Sequence, residues 1–436
     1  MRQFKFILTI FLAGYFQLAT AQENLSLKDA ITITLQNNYD IKLVNNDLQI
    51  AANNVNAGNA GLLPVLQGNF GTGGSRQKTV QTTSTGEERR NDNVRTTNMS
   101  YGAALDWTIF DGFRMFATYD KLKELQKLGE VNEKATILNT VAQVISAYYD
   151  LVRQQQLVVA TDSALDISRF RIRIAKNKLD IGKGSKLDVL SATVDYNTDT
   201  SAVLQQKNLL LNAMVNLNQV MARDLNIQVR AQDSIDIDQQ LNYPKLQEVT
   251  LQLNPALQNA FINKRVAELT LKEIKGQRYP VVGVNSGYEY SRSANPTGFN
   301  QKFRGRGFTY GVTANLNIFN GFLQRQNERN AKISINTSQL TLEQMQQTIN
   351  ADLLRVYQDY QTNLDLLKVE QGNVEIARQN LAITLDKYRL GSIAPIELRE
   401  AQRNSIQAIT RFLDAQHQAK LTEISLKEIS GTLNIQ

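Results

Sequence analysis

The chain has 436 residues, 42% hydrophobic, 20% charged and 7% aromatic, with a formal net charge of +7. That composition excludes both a disordered polymer and an integral helical-membrane protein. The absence of cysteine removes disulfides, thiolate metal sites, catalytic thiols and cysteine-linked lipid anchors, and the single histidine, His417, cannot build a histidine-rich metal site.

Arg2 and Lys5 precede an apolar run, Phe6 to Gly14, and then Ala19-Thr20-Ala21. This is the layout of a secretory leader, so residues 1–21 are expected to be removed and the rest exported. The run is shorter than the roughly twenty apolar residues of a spanning helix. Lys and Arg are dispersed among Asp and Glu without interleaved aromatics, so the positive charge reads as solvated surface, with no nucleic-acid partner.

Leu27 to Gly58 has helical periodicity, with Leu27, Ala30, Ile31, Thr34, Leu35 and Asn38 along one face. Pro64 is expected to end that helix. The period then switches to two. Leu66, Gly68 and Phe70 lead, and Met99, Tyr101, Ala103, Leu105, Trp107 and Ile109 later alternate with polar or small residues. Thr72 to Asn98, polar and rich in Gly, Ser, Thr and Asn, reads as an exposed loop. Phe113 to Lys178 has no proline and one glycine, Gly129, and at 1.5 Å per residue predicts ~100 Å of helix. A tight turn and a helix over 187–220 follow.

The same order then repeats: a helix over Lys245–Gly276 that Pro255 should kink or start late, and a hairpin about 280–319. Its strands carry Val282, Val284, Ser286, Tyr288 and Tyr290, then Phe308, Tyr310, Val312, Ala314, Leu316 and Ile318, with Ser291 to Gly307 as a loop. A long helix over 322–389 and a helix over 396–430, opened by Pro395, complete it. Ile109-Phe110-Asp111-Gly112-Phe113 returns as Ile318-Phe319-Asn320-Gly321-Phe322. At the same offset Tyr148, Asp150, Arg169, Lys178, Gly182 and Ala192 match Tyr357, Asp359, Arg378, Lys387, Gly391 and Ala401. The chain is one unit written twice, over residues 22–240 and 241–436.

The fold class expected is mainly α with a membrane β-barrel portion. Strands of about ten residues, apolar on one face with aromatics near the ends, are the outer-membrane barrel signature. A soluble sheet covered by the chain's own helices is the alternative. Four strands cannot close a barrel, and an open edge in lipid leaves backbone groups unpaired at several kcal/mol each. Several chains must then share one barrel. Trp107 falls where an interfacial aromatic belongs, with Phe110 and Phe319 at the strand-to-helix joints.

These residues resemble the TolC family of outer-membrane efflux proteins over the whole mature chain. The resemblance rests on the duplicated unit, Phe110-Asp111-Gly112, Phe319-Asn320-Gly321, Asn254-Pro255, and the turns Ile181-Gly182-Lys183-Gly184-Ser185 and Leu390-Gly391-Ser392-Ile393-Ala394-Pro395. It implies a homotrimer whose twelve-stranded barrel continues as a periplasmic α-helical barrel. Such a protein is a passive duct for small toxic compounds, joined by a periplasmic adaptor to an inner-membrane pump or ABC exporter. The resemblance places adaptor contacts at Ile181, Gly182, Leu390, Gly391 and Ser392. It places acidic residues at the entrance constriction, here Glu397 and Glu400, and pairs Asp188 with Tyr388 as a closing contact. Ile393 stands where better-known members often carry an arginine.

Two alternatives stay open: an outlet for protein or peptide secretion, and a secreted coiled-coil structural protein. Gly182-Lys183-Gly184-Ser185 lacks the first glycine and the preceding strand of a phosphate loop. Asp195 and Asp199, one helical turn apart, read as a solvated face. No nucleophile and base can be paired, so no enzyme, cofactor or metal is expected.

Overall fold

The computed structural model describes residues 23–297 and 301–433; the leader expected over 1–21 lies outside the described residues. The first copy runs β1 (Glu23–Leu25), α1 (Leu27–Asn37), α2 (Tyr39–Asn54), β2 (Val65–Thr82), β3 (Glu88–Phe110), α3 (Arg114–Asp180) and α4 (Lys186–Val220). After β4 (Val229–Ala231) come α5 (Tyr243–Leu253), α6 (Pro255–Gly276), β5 (Val281–Ala294), β6 (Lys302–Asn315), α7 (Leu323–Arg389) and α8 (Pro395–Ile429). α3 and α7 have 67 residues each, and α4 and α8 have 35. Among the described residues no helix is long and apolar enough to cross a membrane.

The first helix expected in each copy is in fact two. In copy one the break needs no proline. Asn38 leaves helical geometry at ψ 134°. Its Oδ1 accepts the N–H groups of Asp40 and Ile41, and its Nδ2 donates to the Val220 carbonyl at 2.9 Å. Asn254 repeats this device: its Oδ1 caps Ala256 and Leu257, and its Nδ2 donates to the Ile429 carbonyl at 2.8 Å. A short polar side chain that satisfies orphan helix N–H groups stabilises a cap by ~1 kcal/mol, so asparagine specifies the break in both copies.

The chain divides into two compact units. One comprises residues up to Asn46, Val131–Gln258 and Gln344 onward; the other comprises Asp47–Glu130 and Asn259–Glu343. In the first, β1 and β4 pair in parallel, from Glu23–Val229 to Leu25–Ala231. Leu25, Val141, Val144, Tyr148, Leu151, Leu217, Leu353, Tyr360 and Leu426 are buried in its core. Two tyrosine hydroxyls are satisfied there: Tyr148 donates to Asp233 at 2.6 Å, and Tyr360 donates to the Asp238 carbonyl. Burial raises both phenols above the ordinary tyrosine range, Tyr360 to about 12.

His417 lies in the same unit, 7% exposed, with Nε2 unpartnered. Burial, and then the charge of Arg153, holds its imidazole below the ordinary histidine pKa. The folded state therefore favours the neutral ring. As pH falls through ~6.5 the unfolded chain takes up a proton that the folded chain resists. Stability is expected to drop on acidification, and His417→Asn to flatten that drop. Thermal midpoints on either side of that pH check it; an equal loss in the variant would acquit His417.

The second unit holds the antiparallel sheet, in the order β2-β3-β5-β6. Its strands outrun the expected hairpins. Residues 72–98 are not a loop: β2 and β3 stay paired from Val65–Asp106 to Thr82–Glu88, with one irregularity near Gln77. β5 and β6 likewise pair as far as Ala294–Lys302. Period-two patterning reports only where one face is apolar; backbone pairing continues unsignalled where both faces are polar. β6, conversely, stops at Asn315 instead of running to Ile318. Its partner β5 begins at Val281, directly after Pro280, which has no N–H to donate. Pro64 and Pro280 thus stand at strand starts rather than helix ends.

The strand-to-helix joints repeat closely. Gly112 and Phe113 have φ of 75° and 66°, and Gly321 and Phe322 have 69° and 65°. Phe110 meets Phe113 edge to face at 5.3 Å, as Phe319 meets Phe322. A bulge at Ile109 lets Phe110 pair with Val282 and brings it to the face that carries Trp107.

Candidate functional site at the helical tips

In the first unit α3 reverses into α4 through a glycine turn. Gly182 has φ of 71°, and its N–H donates to the Leu179 carbonyl at 2.9 Å; the Lys183 N–H donates to Lys178 at 2.7 Å. Reversal past a helix end needs a left-handed residue, which glycine adopts without a Cβ penalty. Ser185 then caps α4: its Oγ accepts the Asp188 N–H, and Asp188 Oδ2 accepts the Ser185 N–H, each at 3.1 Å. Those bonds from Ser185, backbone first, hold the exposed Asp188 carboxyl below the ordinary aspartate range.

The second turn is built alike. Gly391 has φ of 76° and donates to Tyr388 at 3.0 Å, and the Ser392 N–H donates to Lys387 at 3.0 Å. Pro395 opens α8, and Glu397 accepts the Ala394 N–H at 3.1 Å. Ile181 and Leu390 protrude from the two turns, 68% and 83% exposed.

Tyr388 is buried, with the Lys178 ammonium 5.2 Å from its ring centroid. Burial raises its phenol pKa, Arg171 opposes the rise and Asp188 adds to it. Asp188 and Tyr388 are thus electrostatic neighbours, yet they share no hydrogen bond among the described residues of the single chain. Glu397 and Glu400 are exposed and line one groove of about 470 Å³ with Thr384, Lys387, Ile393 and Ile396. Glu400 also pairs with Arg403 at 2.8 Å.

Back from the turns lies a polar cluster that the sequence reading missed. Asp195 and Asp199 are not a solvated face: Asp199 is 8% exposed. Arg399 Nη1 donates to Asp199 at 2.8 Å, and its Nε lies 3.5 Å from Asp195. Gln402 Nε2 reaches the Ala164 carbonyl, Ser168 Oγ and Asp199, and Ser168 donates to Asp199 as well. Arg171 is buried and pairs with Asp195 at 2.9 Å. The cluster ties α3, α4 and α8 together. A signal was available: Arg171 and Asp195 are equally distant from Lys183, so an antiparallel hairpin must set them opposite one another. Among the described residues no group of three or more metal-ligating side chains occurs.

The chain belongs to the outer membrane efflux protein family, whose model matches residues 30–223 and 246–432. It is an outer-membrane channel protein with its helical portion in the periplasm, and it is not an enzyme. The proteases secretion protein PrtF of Dickeya chrysanthemi is 20% identical over 420 residues, 94% of this chain and 89% of that protein. The outer membrane efflux protein BepC of Brucella suis is 18% identical over 424 residues, 97% and 89% of the two chains. The solved CmeC outer membrane channel of Campylobacter jejuni has the same fold, with a TM-score of 0.75 at 18% identity over 93% of this chain and 85% of that one.

Proposed function

We propose that three copies of this chain form a passive exit duct from periplasm to exterior for small toxic compounds. Each would give four strands to a twelve-stranded barrel and its long helices to a helical conduit. The observation that carries this is the open sheet: β2 and β6 have no partner on their outer edges among the described residues. In lipid such edges are tenable only when paired with another copy.

Two further features support assembly. Gly112 in the first joint packs against Gly276 of α6 and Phe110 is half-buried, whereas Gly321 of the second joint has nothing beside it and Phe319 is bare; a ring of copies would cover it with the next chain. Leu187, Leu190, Val194, Leu204, Leu211 and Val215 form an exposed heptad stripe on α4, and Val369, Ile376 and Ile383 form another on α7 that leads to Leu390 in the turn. Heptad apolar seams are what coiled-coil partners bury.

In this reading the protruding Ile181 and Leu390, with Gly182, Gly391 and Ser392, receive a periplasmic adaptor that links an inner-membrane pump or ABC exporter. Glu397 and Glu400 line the entrance, where Asp188 and Tyr388 meet across closing tips. Trp107, Phe110 and Phe319 sit at the periplasmic-side lipid boundary. A second reading, an outlet for secreted proteins or peptides, is favoured by the likeness to a protease secretion protein along nearly the whole chain.

Planar-bilayer recording tests the duct. The protein should conduct with cation preference, and Glu397→Gln with Glu400→Gln should move the permeability ratio toward unity, because like charges ringed about an axis favour counter-ions. Unchanged selectivity would remove both residues from the pore, and absence of conductance would overturn the duct.

A further inference from the structure

The sheet segregates its charges between its two faces. Strand register places Leu66, Phe70, Tyr101, Tyr288 and Phe308 on one face. Toward the hairpin turns that same face carries Arg76, Arg95, Arg292, Lys302, Arg304 and Arg306. The face has six cations and no carboxylate from Leu66 to Arg76 and along the facing stretches of β3, β5 and β6. The two acids of these stretches, Asp106 and Glu289, lie on the opposite face, which has no cation.

Arg292 pairs in register with Met99 on one side and Arg304 on the other, and Arg306 stands opposite Tyr290. All six cations are exposed, and none forms an ion pair among the described residues. Farther out, Lys78 and Arg90 do have acids, Asp92 at 2.9 Å and Glu88 at 3.0 Å. Two cations beyond this belt thus have counter-charges on neighbouring residues, and the six of the belt have none among the described residues.

The belt's position matters as much as its sign. Met99 and the arginine row beside it stand eight residues from Trp107, ~27 Å along the strand and so ~21 Å in height at the roughly 40° tilt of such barrels, near the far edge of an apolar band ~25 Å tall. Just below the row is a shallow groove of about 420 Å³, lined by Gly68, Phe70, Tyr101, Ala103, Tyr288 and Tyr290. Tyr101 and Tyr290 stack there at 4.9 Å. Gly68 and Ala103 open the groove because they carry almost no side chain between those rings. Its walls belong to β2, β3 and β5 of one chain, so it is complete without a neighbouring copy.

We infer that this face binds a phosphate-bearing lipid of the exterior leaflet, its acyl chain in the aromatic groove and its headgroup phosphates on Arg292, Arg304 and Arg306. Guanidinium groups chelate phosphate oxygens in a planar fork, which an ammonium cannot do. The inference rests on the proposal that this face meets lipid in a shared barrel.

The test is native mass spectrometry of the detergent-extracted mature protein incubated with lipid A, a glycolipid carrying two phosphates. Wild type should appear as three protomers with lipid A retained. Arg292→Gln with Arg304→Gln and Arg306→Gln should keep the trimer mass and weaken retention roughly a hundredfold, at about fivefold per charge near an anionic surface. Lys78→Gln with Arg90→Gln should retain lipid A as wild type does. Dephosphorylated lipid A, offered to wild type, should be lost to the same degree, an arm that does not depend on any variant folding. Equal retention by the triple variant, or of the dephosphorylated lipid, would overturn the site while leaving the trimer intact. A water-soluble single protomer would instead overturn the shared barrel, and the lipid site with it.

Discussion

Gly112→Ala is expected to prevent the chain from folding its second unit, whereas Gly321→Ala leaves that unit folded. Both glycines have φ near 70°, so alanine costs about 1–2 kcal/mol of backbone strain at either. Only at Gly112 is there also a collision. A Cβ there would lie 2.1 Å from the Gly276 carbonyl oxygen and 2.9 Å from Tyr279 Cβ, while at Gly321 nothing lies within 4 Å. The obstruction at Gly112 is backbone, which cannot swing aside as a long side chain can, and overpacking of that kind adds up to ~3 kcal/mol or more. Protease resistance of the chain measures folding, and heat-resistant oligomer in the outer membrane measures assembly. Gly112→Ala should lose both. Any loss with Gly321→Ala beyond the φ strain should appear in the oligomer alone, since no group of the same chain lies within 4 Å of the added Cβ. Equal loss of protease-resistant chain in both variants would contradict the asymmetry.

Arg399→Ala is expected to loosen the tips by ~3 kcal/mol, because it strands the nearly buried Asp199 carboxylate and weakens the hold on Asp195. Backbone amides of α3, α4 and α8 around the cluster should then exchange with solvent on the order of a hundredfold faster. Adding Asp199→Asn to the same chain should recover most of the loss. The amide can still meet Ser168 and Gln402, and removing both members of a buried pair is much milder than removing one. Exchange rates unchanged by Arg399→Ala would mean that the cluster contributes nothing to tip stability. The result bears on function because α3, α4 and α8 flank the tip turns, whose protruding Ile181 and Leu390 are proposed to stand at the entrance.

Much of the architecture was legible in the residue order. The duplicated Phe-Asp/Asn-Gly joints, the proline-free runs of the long helices and the apolar alternation from Met99 to Trp107 each follow a local rule, and local rules survive without a partner in view. The same reasoning missed what depends on a partner. Asn38 carries no helix-breaking signal as strong as proline, yet it breaks a helix because Val220 offers a carbonyl where its amide can donate. Thr72 to Asn98 has no one-sided apolar pattern, yet most of it is strand because β2 and β3 stay in register. In the second copy the buried core tyrosine is Tyr360, although the repeat aligns Tyr148 with the half-buried Tyr357; positions one turn apart share nearly one helix face, so periodicity alone does not say which of the two is buried.

The tip residues divide in the same way. Gly182 and Gly391 were readable because reversing a helix requires a left-handed residue, whatever surrounds it. Asp188 and Glu397 were singled out only through the family resemblance, and the structure sets both in the first turns of α4 and α8. The roles of Asp195 and Asp199 were not. A carboxylate pair at helical spacing is the same string on a wet face and in a buried network, and only the approach of Arg399 and Gln402 from α8 distinguishes them. The residue order by itself determined the long helices, the one-sided apolar stretches of the strands, their repetition and the turns, because each carries a pattern readable within a few residues. The tertiary structure alone decided which charges are buried, which joint is covered and which sheet face carries the cations, because those depend on groups far apart in the chain arriving at one place.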